Sequence, residues 1–219
     1  SRILNDQGAF VMQTKGVLVV VSGFSGAGKG TVMKALLNKY DNYALSVSAT
    51  TRNPRPGEEN GREYFFLTES QFEDMIKNDE LIEHARYVDH YYGTPKKYVE
   101  EKMAAGKDVI LEIEIQGALN IKKKFPDALL VFIVPPTAED LKKRLTGRGT
   151  ESAEVIEKRL RRAAEESDGM DSYDYIVVND DIDTCVEDLH SLIRSSHFKE
   201  SANTDLVARM KQELHDMTK

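Results

Sequence analysis

The sequence predicts an α/β fold, in which a mostly parallel sheet is covered by helices on both faces. An apolar run at residues 17–21 contains neither charges nor alternation, as is typical of a central strand buried on both sides. A glycine-rich segment at residues 23–31 follows this run and leads into a helical pattern with Val32, Leu36 and Leu37 on one side. Further along, strand and helix patterns alternate, which predicts parallel strands joined by helical crossovers.

The glycine-rich segment has the composition of a phosphate-binding loop. Its glycines allow successive backbone N–H groups to turn toward phosphate oxygens, and the start of the following helix adds a partial positive charge. The predicted phosphate-binding residues are Gly23, Ser25, Gly26, Ala27, Gly28, Lys29, Gly30 and Thr31, with Lys29 bridging the outer phosphates. The alternative is an ordinary glycine-rich turn with a chance lysine, which the strand before it and the helix after it disfavour.

One position departs from the usual pattern of such loops. A Ser or Thr normally follows the lysine directly, where its hydroxyl can meet Mg²⁺. Here Gly30 occupies that position, and Thr31 comes one residue later. We therefore expect the loop to hold phosphates, and we expect Mg²⁺ to be held through Thr31, either directly or by way of a water molecule.

Composition and charge exclude several classes of protein. The 219 residues are 40% hydrophobic and 31% charged, which fits one globular domain with a substantial core. The net charge of −7 argues against a general nucleic-acid binder. No apolar run approaches the roughly 20 residues of a membrane helix, and the start shows no signal-peptide pattern. Cys185 is the only cysteine, so no intrachain disulfide can form, and we expect a cytoplasmic protein.

Local patterns predict the remaining elements. Strands are expected at residues 43–48, 63–67, 109–115, 129–134 and 175–179, with two short strands around Asp89-His90 within residues 81–92. A helix is expected at 70–77, where Ser70 and Glu73 have capping-box spacing. Further helices are expected at about 95–105, 137–145, 152–166, 182–195 and 206–217, and another follows the strand at 109–115 and ends near residue 124. The last helix carries an apolar stripe that either packs on the body or contacts a partner.

Two excursions leave the predicted sheet. Residues 50–94 form a small mixed insertion that begins with a proline-rich loop carrying Arg52 and Arg55. The second excursion contains Arg148 between two glycines. Two arginine-bearing excursions around one phosphate loop predict that two phosphorylated ligands are brought together.

Two carboxylates, Glu112 and Glu114, interrupt the apolar run at residues 109–115 near its C-terminal end. One interpretation is that they are solvated positions on an edge strand. The other places them beside the phosphate loop, at the strand ends where open α/β sheets bind ligands.

Several long motifs, in the same order and spacing, resemble the guanylate kinase family. They are residues 46–58 (SVSATTRNPRPGE), 61–64 (GREY), 91–94 (YYGT), 111–117 (LEIEIQG), 144–150 (RLTGRGT) and 178–181 (VNDD). The resemblance extends over about residues 16–193, which is nearly the whole predicted body. It implies the fold of P-loop NTPases, with a GMP-binding insertion and a short lid.

The resemblance also implies a reaction, in which ATP phosphorylates GMP to GDP by direct in-line transfer with Mg²⁺ as cofactor. Whether dGMP is also an acceptor stays open. The implied guanine ligands are Ser48, Glu83 and Thr94, and the implied ligands of the GMP phosphate are Arg52, Arg55, Tyr64 and Tyr92. Glu112 and Glu114 occupy GMP-site positions where the family often has Asp, and their longer reach leaves their roles open.

The remaining implied roles concern ATP and the transferred group. Asn179 would lie near the adenine, and the loop with Lys29 would hold the ATP phosphates. Arg144, Arg148 and Arg159 would close over the transferring phosphoryl group. The implied catalytic residues are therefore Lys29, Arg52, Arg144, Arg148 and Arg159.

Glu83 has a chemical reason to select guanine. Guanine presents two neighbouring N–H donors on its pairing edge, and a carboxylate can accept from both, whereas adenine presents an unprotonated ring nitrogen there. Without the resemblance, Glu83 would be read as an exposed strand carboxylate, and the site arginines as solvated charges. Likewise, Tyr64 and Tyr92 would be read as half-buried aromatic residues.

We expect residues 1–15 to be a leader or flexible segment. Residues 16–200 are expected to form one domain, with an insertion at about 50–94 and a lid at about 146–160, and residues 201–219 to form a helical tail.

Two other functions stay open. A non-catalytic binding module of the same fold is one, although Lys29 and the arginines favour catalysis. A kinase of another nucleoside monophosphate is the second, because Gly30-Thr31 locally resembles adenylate kinases, although Ser48, Glu83 and Thr94 favour guanine.

Overall fold

The computed structural model describes residues 2–4, 10–12, 15–87, 89–147, 149 and 151–219, and within these ranges the strands form three sheets. The strands are β1 (Arg2–Leu4), β2 (Phe10–Met12), β3 (Leu18–Gly23), β4 (Tyr43–Leu45), β5 (Ser48–Thr50), β6 (Tyr64–Phe66), β7 (Leu81–Tyr87), β8 (His90–Pro95), β9 (Asp108–Glu112), β10 (Leu129–Val134) and β11 (Tyr175–Val178). The helices are α1 (Lys29–Lys39), α2 (Glu69–Lys77), α3 (Lys96–Ala104), α4 (Ile115–Lys124), α5 (Ala138–Thr146), α6 (Ala153–Ser167), α7 (Ile182–Ser196) and α8 (Thr204–Met217).

The central sheet is parallel throughout its described strands, in the order β11-β10-β3-β9-β4. In its middle strand β3, Val19, Val20 and Val21 are fully buried. One face packs with Leu36 of α1, and the other with Ile121 of α4. The predicted α/β fold with helices on both faces is therefore confirmed, and the carboxyl end of β3 carries the glycine-rich loop into α1.

A second, mixed sheet forms the insertion, with strand order β6-β5-β8-β7. β5 pairs in parallel with β6, whereas β8 runs antiparallel to both β5 and β7. Together with α2, this sheet encloses a small core of its own, formed by Ala49, Phe72 and Leu81. Having its own core makes the insertion a separate layer beside the parallel sheet.

Two strand predictions were wrong in extent. The expected strand at 43–48 is two strands in different sheets, because β4 ends at Leu45 and β5 begins at Ser48. The expected strand at 109–115 ends at Glu112, and Glu114 is the N-cap of α4. In both places the chain leaves the parallel sheet while apolar residues continue, so hydrophobicity alone did not reveal the boundary.

The predicted cap of α2 was also wrong. Thr68, not Ser70, is the N-cap, and its side chain accepts a hydrogen bond from the backbone N–H of Gln71. The side chain of Gln71 accepts in turn from the backbone N–H of Thr68, which completes a capping box two residues earlier than expected.

The C-terminal helix α8 leaves its apolar stripe largely uncovered by the described residues. Met210, Leu214 and Met217 are exposed, and no residue of α8 is buried. Within the ranges that the structure describes, no helix is both long enough and apolar enough to cross a lipid bilayer.

Candidate active site

The glycine-rich loop joins the carboxyl end of β3 to the start of α1. Gly28 has a φ of 86°, and a Cβ there would lie 2.6 Å from Nδ2 of Asn179, so both conformation and space require glycine. The backbone N–H groups of Lys29, Gly30 and Thr31 begin α1 and have no partner within the helix. These donors and the helix dipole form a binding site for anions.

Lys29 folds back over the loop that precedes it. Its Nζ donates a hydrogen bond to the backbone oxygen of Gly23 at 2.9 Å. Burial lowers the pKa of Lys29, while the charges of Glu112 and Glu166 act in the opposite direction. A phosphate beside Nζ would add more negative charge and so favour the ammonium form.

Arg144 and Asn179 hold the phosphate loop in place through hydrogen bonds to its backbone. Arg144 Nη2 donates to the backbone oxygen of Asn179 at 2.7 Å, and its Nη1 reaches the backbone oxygen of Ala27 at 3.4 Å. Asn179 is buried, and its Nδ2 donates to the same Ala27 oxygen at 2.8 Å. Arg144 is therefore not a solvated helix charge. The roles implied for both residues toward ATP stay predictions.

A cavity of about 350 Å³ opens between the insertion and the carboxyl end of β9. Of the nine residues implied to bind GMP, six line it. Its lining residues are Ser48, Tyr64, Glu83, Ala85, Tyr87, Tyr92, Gly93, Glu112, Ile113, Glu114, Gly117 and Arg162.

Glu83 lies at the back of this cavity and is 8% exposed. The Thr94 hydroxyl donates to its Oε1 at 3.1 Å. Burial raises the pKa of Glu83, the hydrogen bond from Thr94 opposes this, and the nearby charge of Glu114 adds to the rise. A Cβ at position 117 would come within 3.2 Å of Glu83 Oε2, so Gly117 leaves space beside this carboxylate. Glu83 is thus a buried acceptor with an oxygen turned toward the cavity wall.

Arg52, which the resemblance assigns to the GMP phosphate, is paired with a carboxylate. Its Nη1 and Nη2 donate to the two oxygens of Glu58 at 2.9 and 3.0 Å. The hydrogen bonds from Arg52 and from the backbone N–H of Arg55 lower the pKa of Glu58 to about 2. Because a carboxylate and a phosphate offer a guanidinium the same pair of oxygens, Glu58 competes with any phosphate for Arg52.

The structure brings three of the four implied phosphate ligands together. Arg52 lies 5.2 Å from the ring centroid of Tyr64, and the rings of Tyr64 and Tyr92 are 6.0 Å apart. Arg55 is exposed, and among the described contacts only its backbone joins this group, through its N–H to the Glu58 carboxylate and its oxygen to the Glu58 N–H. Neither arginine lines the cavity, so a phosphate would lie at its edge, beside the two tyrosines.

Glu112 is the last residue of β9, and Glu114 comes two residues later, after Ile113. Glu112 lies opposite Val21 of β3 and lines the cavity, and its charge also acts on Lys29. The cavity and the phosphate loop are therefore neighbours at one edge of the parallel sheet. Glu114 is the N-cap of α4, where a carboxylate is favoured by the helix dipole.

The implied lid is described in part. Arg159 on α6 pairs with Glu151 at 3.0 Å. Arg148 and Thr150 lie outside the described residues, so the role implied for Arg148 stays a prediction.

Three residues near the site were missed from the sequence. Glu58 ends the motif that contains Arg52, and this spacing could have suggested a pair. Arg162 lies three residues after Arg159, on a neighbouring face of the same helix, which could have suggested a second site arginine. Tyr173 gave no signal: its hydroxyl donates to Ser22 Oγ at 2.7 Å, and Ser22 donates to the Ile113 backbone oxygen at 2.6 Å.

A larger cavity, of about 730 Å³, lies at the opposite edge of the parallel sheet, by the amino ends of β3 and β10. None of the residues singled out from the sequence lines it. The smaller cavity is therefore the better candidate for chemistry, because it adjoins the phosphate loop and contains a buried carboxylate.

Comparisons with known proteins agree with this geometry. A family model described as Guanylate kinase matches residues 15–196. A guanylate kinase of Lactococcus lactis is 50% identical over 188 residues, which are 86% of this chain and 92% of that relative. A guanylate kinase of Caldanaerobacter subterraneus is 47% identical over 202 residues, which are 92% of this chain and 98% of that relative.

A solved structure gives the same result in three dimensions. The crystal structure of guanylate kinase from Anaplasma phagocytophilum superposes with a TM-score of 0.68 at 32% identity, covering 86% of this chain and 90% of that one. With the phosphate loop and the carboxylate-lined cavity at one sheet edge, these matches show that the chain belongs to the guanylate kinase family.

Proposed function

We propose that this protein transfers the terminal phosphoryl group of ATP to GMP and releases ADP and GDP. The observation that carries the proposal is the shared position of Glu112, which lines the same cavity as the buried Glu83 and whose charge also acts on Lys29 of the phosphate loop. A site with this arrangement holds two ligands side by side, one by its phosphates and one by its base.

The donor site is the loop between β3 and α1. The N–H groups at the start of α1 and the Lys29 ammonium would bind the phosphates of ATP, with the loop held in shape by Arg144 and Asn179. Asn179 is at the carboxyl end of β11, on the side where the adenine is proposed to lie.

The acceptor site selects its base through Glu83. The ionised carboxylate can accept from both N–H donors of guanine, with Ser48 and Thr94 as neighbouring hydroxyls. A base with an unprotonated ring nitrogen at this position would leave the buried carboxylate without its donors, at a cost of roughly 1–3 kcal/mol. We therefore propose GMP, and leave dGMP open as a second acceptor.

The phosphate of GMP would be gripped by Arg52 and Arg55 with the Tyr64 and Tyr92 hydroxyls. Because Arg52 is bidentate to Glu58 without ligand, phosphate binding requires Arg52 to exchange or share this partner.

Transfer itself needs alignment more than acid–base chemistry. The attacking atom is a phosphate oxygen of GMP that is already anionic near neutral pH, so no general base is required. Lys29, Arg144, Arg148 and Arg159 are proposed to stabilise the charge of the transferring group. Closure of the insertion (about 50–94) and the lid (about 146–160) on the rest of the domain at 16–200 would exclude water and prevent hydrolysis of ATP.

The residues present fit a magnesium ion that is held mostly by ATP and water. In the part of the chain that the structure covers, no three His, Cys, Asp or Glu side chains cluster into a metal cage. Mg²⁺ characteristically keeps several waters and takes only one or two protein ligands beside nucleotide phosphates. The exposed Thr31 hydroxyl at the first turn of α1 is the proposed protein contact. Bound Mg²⁺ would supply charge neutralisation on the phosphates.

Other expectations stay proposals. The net charge of −7 supports small-molecule substrates over nucleic acid, and the cytoplasm is the proposed compartment. A non-catalytic binding module is not favoured, because the curated relatives that match nearly the whole chain are guanylate kinases.

The test is release of ADP with ATP and Mg²⁺ present, measured separately with GMP, AMP, CMP and UMP and without acceptor. We expect turnover with GMP well above that with every other acceptor and above the ATP hydrolysis background. A preference for AMP would overturn the guanine assignment. Absence of turnover with all four acceptors, in a folded protein that binds GMP, would overturn the kinase assignment.

A further inference from the structure

Arg162 on α6 contacts two other parts of the acceptor site, the insertion and the start of α4. We infer that it is a positioning residue that holds the mouth of the GMP cavity in shape by joining α6 to Tyr87 of the insertion and to Glu114 of the core. This inference rests on the proposed function, since it adds a residue to that same site.

The guanidinium of Arg162 is shared among these partners. Its Nε donates to Glu166 Oε1 at 2.9 Å, one turn further along α6. Its Nη1 donates to the Tyr87 hydroxyl at 3.0 Å, and its Nη2 reaches Glu114 Oε2 at 3.4 Å. The guanidinium carbon also lies 5.6 Å from the centroid of the Tyr87 ring. A planar fork with several donors can make these contacts together, and a lysine cannot.

These contacts link elements that must be placed relative to one another when GMP binds. Tyr87 is the last residue of β7, Glu114 is the N-cap of α4, and α6 begins within the lid and continues past it. Among the described residues, the bond from Arg162 to Tyr87 is the only side-chain hydrogen bond between α6 and the insertion. Losing it would leave these two parts without a polar link at the mouth of the cavity.

Arg162 also balances charge inside the cavity. Of the described residues that line it, three are carboxylates, Glu83, Glu112 and Glu114, and Arg162 is the only cation. GMP brings a further negative phosphate to this cavity. Pairing with Arg162 offsets part of the negative charge of Glu114 at the cavity. Arg162 therefore favours an anionic ligand at this place.

The neighbouring Arg161 provides a matched control. It lies on the same helix and carries the same charge, but among the described contacts it pairs only with Glu157 within α6, and it does not line the cavity. Arg161→Met and Arg162→Met thus remove the same group from adjacent positions, one away from the cavity and one at its mouth.

The experiment measures Kd for GMP and for ATP by calorimetry, and KM and kcat for both substrates. The proteins compared are wild type, Arg161→Met, Arg162→Met, Arg162→Lys, Tyr87→Phe and Tyr87→Phe/Arg162→Met.

We expect Arg162→Met to raise Kd and KM for GMP about three- to tenfold, because half-exposed charged hydrogen bonds are of modest strength. The values for ATP should change less than about twofold, as should all values of Arg161→Met. Tyr87→Phe should have a smaller effect that disappears in the double variant, and Arg162→Lys should restore only part of the affinity, since it keeps the charge without the fork.

Three results would overturn the inference. The first is an Arg162→Met protein with the same Kd for GMP as Arg161→Met. The second is an equal rise of Kd for GMP and for ATP in Arg162→Met. The third is a double variant whose change in Kd for GMP is the product of the changes in Tyr87→Phe and Arg162→Met. If the wild type transfers phosphoryl to GMP and one of these results is found, this inference alone fails. A wild type that binds no GMP would overturn the proposed function as well.

Discussion

The donor and acceptor halves of the site hold their charged groups in different ways. In the donor half, Lys29 and Arg144 donate to backbone oxygens of Gly23, Ala27 and Asn179, so their positions are fixed by the main chain. In the acceptor half, Arg52 and Arg162 are paired with side-chain carboxylates. The cations of the donor half are therefore held by the main chain, whereas Arg52 of the acceptor half has to exchange or share its carboxylate partner when it binds a phosphate.

This difference follows from where each half lies in the fold. The donor loop extends from β3, whose valines are fully buried in the middle of the parallel sheet. The acceptor arginine Arg52 lies in a loop of the insertion, which packs on a separate and smaller core. A donor loop on the large central core and an acceptor loop on a smaller core fit the proposed closure of the insertion on bound GMP.

The largest effect is expected in the donor half, from Lys29→Met. Because Lys29 has a fixed place at the loop and is proposed to stabilise the charge of the transferring group, its loss should lower kcat by about a hundredfold or more. Affinity for GMP should change little, as calorimetry can show. A variant with kcat within a few-fold of wild type would remove the distinction between a fixed donor half and an adaptable acceptor half.

The second largest effect is expected from Glu83→Gln in the acceptor half. An amide can accept from one guanine N–H but presents a donor to the other, so kcat/KM for GMP should fall about ten- to a hundredfold. The KM for ATP should stay the same. Equal loss for both substrates would mean that Glu83 supports the fold and not the base.

The pH dependence of the wild type tests the same carboxylate. Since burial raises the pKa of Glu83, its protonated form persists to higher pH than in an ordinary glutamate. Only the ionised form accepts both guanine donors, so kcat/KM for GMP should decline as pH falls, starting above the usual range of glutamate. Glu83→Gln should lack this decline, and an unchanged profile in that variant would contradict the assignment.

A smaller effect, in the opposite direction, is expected from Glu58→Gln. The amide oxygen can still accept from the Arg55 backbone N–H, but the charged competitor for Arg52 is gone. Calorimetry should show GMP binding about two- to fivefold tighter. Weaker binding would mean that Glu58 orders the loop more than it competes with phosphate, and the acceptor half would then be as preformed as the donor half.

The smallest effect is expected from Gly30→Ser, which restores the hydroxyl usual at this position of phosphate loops. A Cβ at Gly30 meets no atom within 4 Å, so the substitution needs no rearrangement. We expect kcat within about twofold of wild type and saturation at a lower Mg²⁺ concentration, since Mg²⁺ gains an oxygen ligand. A higher Mg²⁺ requirement would contradict the fit of the metal to this turn.

The sequence predicted best what depends on neighbouring residues. The run at 17–21, the glycines after it and the helix that follows are one continuous pattern, and β3, the loop and α1 appear where expected. Strand ends at Leu45 and Glu112 were missed because apolar residues continue past them. The cap at Thr68 was missed because Ser70 and Glu73 have the same spacing two residues later.

Contacts between distant parts of the chain could not be read from the sequence. Arg162 meets Tyr87 across 75 positions and Glu114 across 48. Tyr173 meets Ser22 across 151 positions. The pairing of Arg52 with Glu58 is local, but it was not predicted, because the resemblance assigns Arg52 to the GMP phosphate.

The most direct measurement follows the phosphoryl group itself. ATP labelled with ³²P at its terminal phosphate is incubated with the protein, Mg²⁺ and GMP, and the products are separated by chromatography. We predict that the label passes to GDP, with little in inorganic phosphate, and that Lys29→Met forms labelled GDP at about a hundredth of the wild-type rate or less. Label that stays in ATP, or that appears only in inorganic phosphate while GMP is unchanged, would contradict direct transfer between the two halves of the site.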